Sequence, residues 1–394
     1  MNVYLDNKNT SQCSGCGACA FACPKNCIQL VENDEGFFYP TVDASACINC
    51  NKCAVVCPFE NAEEHKHSKQ QAYAAFTHNE DYLMNSSSGG IFSEIAASFI
   101  KDGGVVCGVT IDEKHQVHHT IIDKTEDLVK TQGSKYVQSD LHSCFEKIAD
   151  VLRSGTKILF SGTPCQVSAV KKMFKSPSLY TVDLICHGVP SQKLFDEYIK
   201  YLEKKHRGEL VEMAFRDKTV NGWSNTQRYK IKKNDKVKTY YLDRHLSEYY
   251  SGFLRNMTQR ESCFNCPYKT VERVGDITLA DFWKVGKVRP ELYNGQGTSL
   301  VFVNSEEGKS LLHSVLPNIE INEVSIQDAT FQNGNLISSP ERNKARDNVY
   351  HEIYKYGFKK VGKAILLPKN AYKYRIWAVL QKMHLVRPLK QGGK

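Results

Sequence analysis

The chain has 394 residues, 41% of them hydrophobic and 24% charged, the make-up of an ordinary globular protein with room for two or three domains. No apolar run approaches the roughly 18 to 20 residues that a membrane-spanning helix needs. The net charge of +9 is confined to one end: residues 351–394 hold 11 Lys and Arg against the single acid Glu352, leaving 41 basic and 42 acidic residues elsewhere, which excludes a body-wide nucleic-acid surface.

The first residues, MNVYLDNKNTSQC, lack the basic-then-apolar plan of a secretory signal, so the chain reads as cytoplasmic. Fifteen cysteines in a reducing compartment argue for metal or redox chemistry rather than disulfides. CSGCGACAFACP (13–24) and CINCNKCAVVCP (47–58) are one phrase written twice. Each follows C-x2-C-x2-C-x3-C-P, in which three close thiolates hold one iron–sulfur cluster and the fourth serves its neighbour. The spacing therefore assigns Cys13, Cys16, Cys19 and Cys57 to a first cluster, and Cys47, Cys50, Cys53 and Cys23 to a second. Two zinc knuckles are the competing reading. Cys27 falls outside the pattern and reads as a packed thiol. The polar stretch NAEEHKHSKQQ (61–71) reads as a linker, with His65 and His67 in solvent.

SSSGGIFSEIAASFIKDGG (86–104) opens on a Ser/Gly cluster and runs into a helical pattern with Phe92, Ile95 and Phe99 on one face. Free N–H groups at such a start suit an anion, although a plain flexible cap fits equally. VVCGVTI (105–111) reads as a strand with Cys107 in the core. GSKY (133–136) is a second Gly/Ser turn. No G-x-G-x-x-G, P-loop or C-x3-C-x2-C is present, which removes support for a Rossmann dinucleotide fold and for radical chemistry.

KILFSG (157–162) and LYTVDLICHG (179–188) read as strands, with QVSAVKKMF between them and a clear amphipathic helix over 191–206. That order implies a parallel pair, so Cys165 and Cys186 come together at the carboxyl edge, where ligands bind in such sheets. Cys263 and Cys266, a C-x2-C pair, complete a possible four-thiolate site. Three readings stand: a third [4Fe–4S] cluster, a structural zinc, or a nucleophilic Cys165. His187 is a possible proton donor or a residue fixing its turn. Arg216, Asp217, Lys218 and Trp223 line a pocket or belong to a hairpin around Asn221-Gly222.

SGG (88–90), GSKY (133–136), GTPCQ (162–166), CHG (186–188), C-x2-C-PYK (263–269) and GDITLADFW (275–283) occur in that order. As an ordered set over roughly residues 1–320 they resemble the coenzyme F420 hydrogenase/dehydrogenase beta-subunit family, here with a dicluster ferredoxin in front. The resemblance implies FAD and a [4Fe–4S] cluster in the body, giving three clusters in all. It places the body cluster on Cys165, Cys186, Cys263 and Cys266. It places the flavin at Ser88, Gly89, Gly90, Ser134, Lys135 and Tyr136, with Gly162 and Thr163 nearby. HGVPS after Cys186 departs from the deazaflavin-reducing branch, so the two-electron partner is that coenzyme or another small organic substrate. The expected activity is that of an iron–sulfur flavoprotein oxidoreductase of anaerobic metabolism, fed by ferredoxin or a similar protein. The alternative is an electron-transfer subunit without its own substrate.

The expected fold class is mixed α/β. A dicluster ferredoxin domain (1–62) precedes a flavin- and cluster-binding body with a partly parallel sheet (72–155 and 156–320), and a basic helical tail follows (321–394). In that tail Ile376, Val379, Leu380 and Met383 share one helix face, which suits an anionic membrane, an acidic partner or simple packing on the body.

Overall fold

A computed structural model describes Leu5, residues 9–60, Ala62, residues 70–331 and residues 333–382. His65, His67 and Met383 lie outside the described residues. Strands β1 (Ile28–Glu32) and β2 (Phe38–Val42) form an antiparallel hairpin between the two cysteine phrases, with Ile28 opposite Val42. At its turn Gly36 has φ +85°, and a Cβ there would lie 2.4 Å from the Lys193 Cβ. Only glycine suits that left-handed backbone pressed against another element.

The body is built on one eight-stranded sheet. Its members are β3 (Gln71–Thr77), β4 (Val105–Ile111), β5 (Val117–Ile122), β6 (Ile158–Ser161) and β7 (Leu179–Leu184), followed later in the chain by three more. A separate antiparallel sheet holds β8 (Glu209–Ala214), β9 (Thr226–Lys233) and β10 (Lys236–Asp243). Strands β11 (Ile277–Asp281), β12 (Ser299–Val303) and β13 (Ile319–Val324) then return to the main sheet, whose order is β13-β3-β12-β11-β7-β6-β4-β5. Its centre, β4-β6-β7-β11, is parallel and its flanks antiparallel.

Parallel strands need helices on both faces, and alternation along each strand feeds two cores. Val106, Leu159 and Val301 pack with Ile91 and Ile95 of the helix Ile91–Lys101. Cys107, Ile158 and Phe160 pack oppositely with Phe145, Ile148 and Val167, from the helices Phe145–Arg153 and Pro164–Met173. Cys107 is fully buried. The two parallel strands that matter for the site fall where their apolar runs place them.

Two local expectations are revised. Asn221-Gly222 does not turn a hairpin: it sits in the loop 215–225 that joins β8 to β9, and the tight turn is at Asn234-Asp235, where Asn234 has φ +51°. Burial of Arg216, Lys218 and Trp223 folds that loop inward, and this outweighs the local Asn-Gly preference. The segment after 320 is not a tail throughout. β13 runs across that position, and Val349, Tyr350, Ile353 and Phe358 of the helix Val349–Val361 are core residues packed on Tyr198 and Leu202. The helix Ala371–Lys382 has a surface character, with Tyr372, Ile376 and Val379 exposed. No helix among the described residues is long and apolar enough to cross a membrane.

Candidate functional site

The two cysteine phrases adopt the same backbone. Gly15 and Gly17 have φ +66° and +80°, and the matching Asn49 and Asn51 have +51° and +55°. Gly and Asn are the residues that tolerate this left-handed region, so each loop curls around its own thiols. Cys19 lies within electrostatic range of Cys13, Cys16 and Cys57, and Cys16 of Cys13 and Cys57. Burial pushes the Cys16 thiol up to about 12 and raises Cys19 as well. Cys53 faces Cys47 and Cys50, and a cavity lined by these three and by Cys23 sits beside the β1–β2 hairpin. The fourth cysteine of each phrase thus stands at the other phrase's group.

In the body, Thr163 caps the helix Pro164–Met173 by a reciprocal pair with Gln166, so Cys165 occupies the first helical turn rather than a loop. Its Sγ lies 3.2 Å from Thr163 Oγ1. Cys186 follows β7, and Cys263 and Cys266 arrive on the short helical turn Glu261–Asn265. Cys165 is raised first by burial and then by the neighbouring Cys266, Cys186 and Cys263, while burial pushes Cys263 up to about 12. These are four thiols gathered in one place, with the Lys269 ammonium on Cys186 O and in range of Cys186, Cys263 and Cys266, a setting in which metal binding displaces the thiol protons.

One hydrogen bond recurs in all three groups. Backbone N–H groups of Gly15, Asn49 and Gly188 donate to the sulfurs of Cys13, Cys47 and Cys186 at 3.4, 3.5 and 3.3 Å. Donors of this kind stabilise thiolates that hold iron–sulfur clusters. Three close thiols with a backbone N–H aimed at a sulfur are a donor set that fits an iron–sulfur cluster.

The first cysteine group abuts the body. Tyr268, 2% exposed, donates to Pro58 O, and Cys57, Cys165 and Cys266 all lie within its electrostatic range. Arg260, 1% exposed, donates to Cys13 O at 2.7 Å, Phe38 O at 2.8 Å and Gln138 Oε1 at 3.2 Å, with Nη2 3.8 Å from Cys13 Sγ. Its guanidinium stacks 4.1 Å from the Tyr39 ring centre. Arg346 holds Glu35 by two 2.6 Å bonds. No sequence signal singles out Arg260, Glu35 or Arg346; Tyr268 sits within the quoted C-x2-C-PYK phrase.

The Ser/Gly segment and the GSKY turn meet, since Ser134 N donates to Ser87 Oγ at 2.8 Å. Ser88 Oγ donates to Thr298 O, and Gly89 N to Ser299 Oγ, which anchors the segment on β12. Gly90, φ +81°, begins the helix Ile91–Lys101. Lys135 reaches the carbonyls of Gln132 and Lys130 at 2.8 and 3.2 Å, and burial of its ammonium pushes it down to about 7, with no carboxylate among the described residues to offset the loss of solvation. Lys218 lies 2.5 Å from the carbonyls of Leu83 and Ser88 and is likewise pushed down to about 7, by burial and then by Arg216. Arg216 is paired with Asp281, which also accepts from Trp223 Nε1 at 2.8 Å. Three cations against this one acid fit a phosphate-bearing cofactor. Tyr136 stacks on Tyr250 and Phe253. Gly162 and Thr163 stand instead beside Cys165.

A cleft of about 360 Å³ opens next to Arg216, between Asn85 on one side and Arg228, Lys230 and Tyr241 on the other, a size typical of small-molecule sites. Asp217, expected to line the pocket, borders it while bound to Arg228 at 2.6 Å. His187 is half-buried. Its Nε2 faces Phe253 O at 3.3 Å, its Nδ1 the Asn335 Oδ1 at 3.2 Å, and burial lowers its pKa.

Sequence comparison matches residues 12–61 to the 4Fe-4S dicluster domain, residues 72–146 to the coenzyme F420 hydrogenase/dehydrogenase, beta subunit N-term, and residues 155–329 to the C terminus of that beta subunit. No curated protein matches. Among solved structures, a chain of the F420-reducing [NiFe] hydrogenase complex from Methanosarcina barkeri is similar at 15% identity and TM-score 0.45, covering 74% of this chain and 94% of its own.

Proposed function

Because the chain belongs to the coenzyme F420 hydrogenase/dehydrogenase beta-subunit family and carries a 4Fe-4S dicluster domain ahead of it, we propose that it is an oxidoreductase with three [4Fe–4S] clusters and FAD, linking a low-potential protein donor such as ferredoxin to a small two-electron substrate. Cys47, Cys50, Cys53 and Cys23 hold the outer cluster, with Cys50 exposed. Cys13, Cys16, Cys19 and Cys57 hold the inner one, and Cys165, Cys186, Cys263 and Cys266 the body cluster. The contact that carries this reading is Tyr268, which spans from Pro58, beside Cys57, to Cys165 and Cys266 and so bridges the inner group to the body group.

When bound, FAD converts single electrons into a two-electron transfer. The chain's own residues would hold it: Ser88, Gly89 and Gly90 with Ser134 and Lys135, joined by Lys218 and Arg216, would take its phosphates, and Tyr136 would offer it an aromatic contact. The cleft beside Arg216 takes the substrate; its cations Arg228 and Lys230 are paired with Asp217 and Glu212. His187 steadies the turn after Cys186 and moves no proton. The family's description as a beta subunit favours a second reading, in which this chain passes electrons to a partner enzyme. An isolated chain that oxidises a reduced donor only after another protein is added would establish that second reading.

The test is the iron-to-flavin ratio of anaerobically reconstituted protein. We expect about 12 iron per FAD, falling to about 8 in Cys165→Ala. About 8 iron with one zinc would make the body site structural and break the series before the flavin.

A further inference from the structure

The turn after Cys23 brings a fifth thiol to the outer group. Pro24 follows Cys23, Asn26 N donates back to Cys23 O at 3.1 Å, and Asn26 takes φ +51°. The chain is thereby reversed, and Cys27 faces the cysteine it follows. Its Sγ lies 3.3 Å from Cys23 Sγ with both thiols free, and it is within interaction range of Cys47. The cavity of the outer group is lined by Cys23, Cys27, Cys47, Cys50 and Cys53 together. A thiol buried only for packing would point into the apolar contact with Leu5 and Ile28; this one also borders the cavity. The second phrase offers no counterpart, because CPKNC (23–27) corresponds to CPFEN (57–61).

Resting on the iron–sulfur reading above, we propose that Cys27 is an alternative ligand of the outer cluster, able to take over the iron corner that the spacing gives to Cys23. The exchange is redox-neutral. The Cys27 thiol gives up its proton as its sulfur bonds iron, and the departing Cys23 thiolate takes a proton up. The outer group is the one with an exposed cysteine, Cys50, so it is the group most open to ligand loss, and a second sulfur within contact distance of the first keeps the cluster in place.

The test counts iron in reconstituted full-length variants and records low-temperature electron paramagnetic resonance after reduction with dithionite. We expect Cys23→Ala to keep about 12 iron with an altered outer-cluster signal, and Cys23→Ala/Cys27→Ala to fall to about 8. Cys23→Ala falling to about 8 on its own overturns the inference. Cys47→Ala serves as the control for the underlying reading: a drop to about 8 sustains an outer cluster on the second phrase, whereas an undiminished count near 12 takes Cys47 out of the ligand set and overturns that assignment and the inference with it. Where Cys23→Ala does not fold, Cys27→Ala carries the test, since it should lose outer-cluster iron faster than wild type in air. Equal rates overturn the proposal.

Discussion

Lys135 and Lys218 are amines held beside backbone carbonyls, each pushed down to about 7 by burial. A phosphate bound there, as the proposed function has it, would restore the charge, so flavin binding above neutral pH would take up protons. FAD affinity should therefore be flat below about pH 6.5 and weaken above about 7.5, by up to tenfold per pH unit for each lysine that must be protonated. Lys135→Met should weaken binding about tenfold at pH 6.5, roughly 1.4 kcal/mol, and flatten the slope above neutrality; fluorescence titration at pH 6.5 and 8.5 checks both. An unchanged slope in the variant would place the phosphates elsewhere. His187 makes the opposite case. With both nitrogens engaged, His187→Gln should lower the melting temperature yet leave the pH profile of turnover in place. The cysteine pattern was readable in the sequence because ligand spacing is a local property. Arg260 was not, since its role exists only after residues 247 positions apart are packed together.

At the scale of elements, the β1–β2 hairpin is the docking tool of the N-terminal module. Its tip places Glu35 on Arg346, while Ser191 Oγ and Tyr354 Oη donate to Glu35 O at 2.6 and 2.9 Å. The Arg346 side chain is 2% exposed and that of Glu35 28%. Glu35→Gln leaves a buried guanidinium without its carboxylate and should cost about 3 kcal/mol, the low end for a broken buried pair because Glu35 keeps some solvent. Denaturant midpoints measure this, and Glu35→Gln/Arg346→Met should recover part of the loss. The parallel pair β6 and β7 was legible because apolar strands flanking a helical pattern leave few topologies. The loop 215–225 admits two readings in the sequence for the converse reason: buried side chains such as Arg216, Lys218 and Trp223 set its path, and the Asn-Gly signal describes only the two residues that carry it.

Across the whole molecule, three thiol groups run from the exposed Cys50 at the surface to four half-buried thiols at the carboxyl edge of the sheet, with Tyr268 at one of the joins between module and body. Tyr268→Phe keeps the ring but deletes the bond to Pro58 O. It should leave iron near 12 per FAD while slowing flavin reduction by a pre-reduced protein donor roughly tenfold in rapid mixing, about 1.4 kcal/mol of barrier. An unchanged rate would free the join from any role in transfer. The Arg260 guanidinium at the same boundary binds module to body and also lies against a sulfur of the inner group. With a cluster there, each arriving electron adds negative charge beside that cation, so reduction tightens the docking. By reciprocity the docked module must accept an electron more readily than the same module set free. With that cluster in place the interface would act as a latch whose grip strengthens with the charge it carries, and the N-terminal module would be held most firmly when it has an electron to deliver.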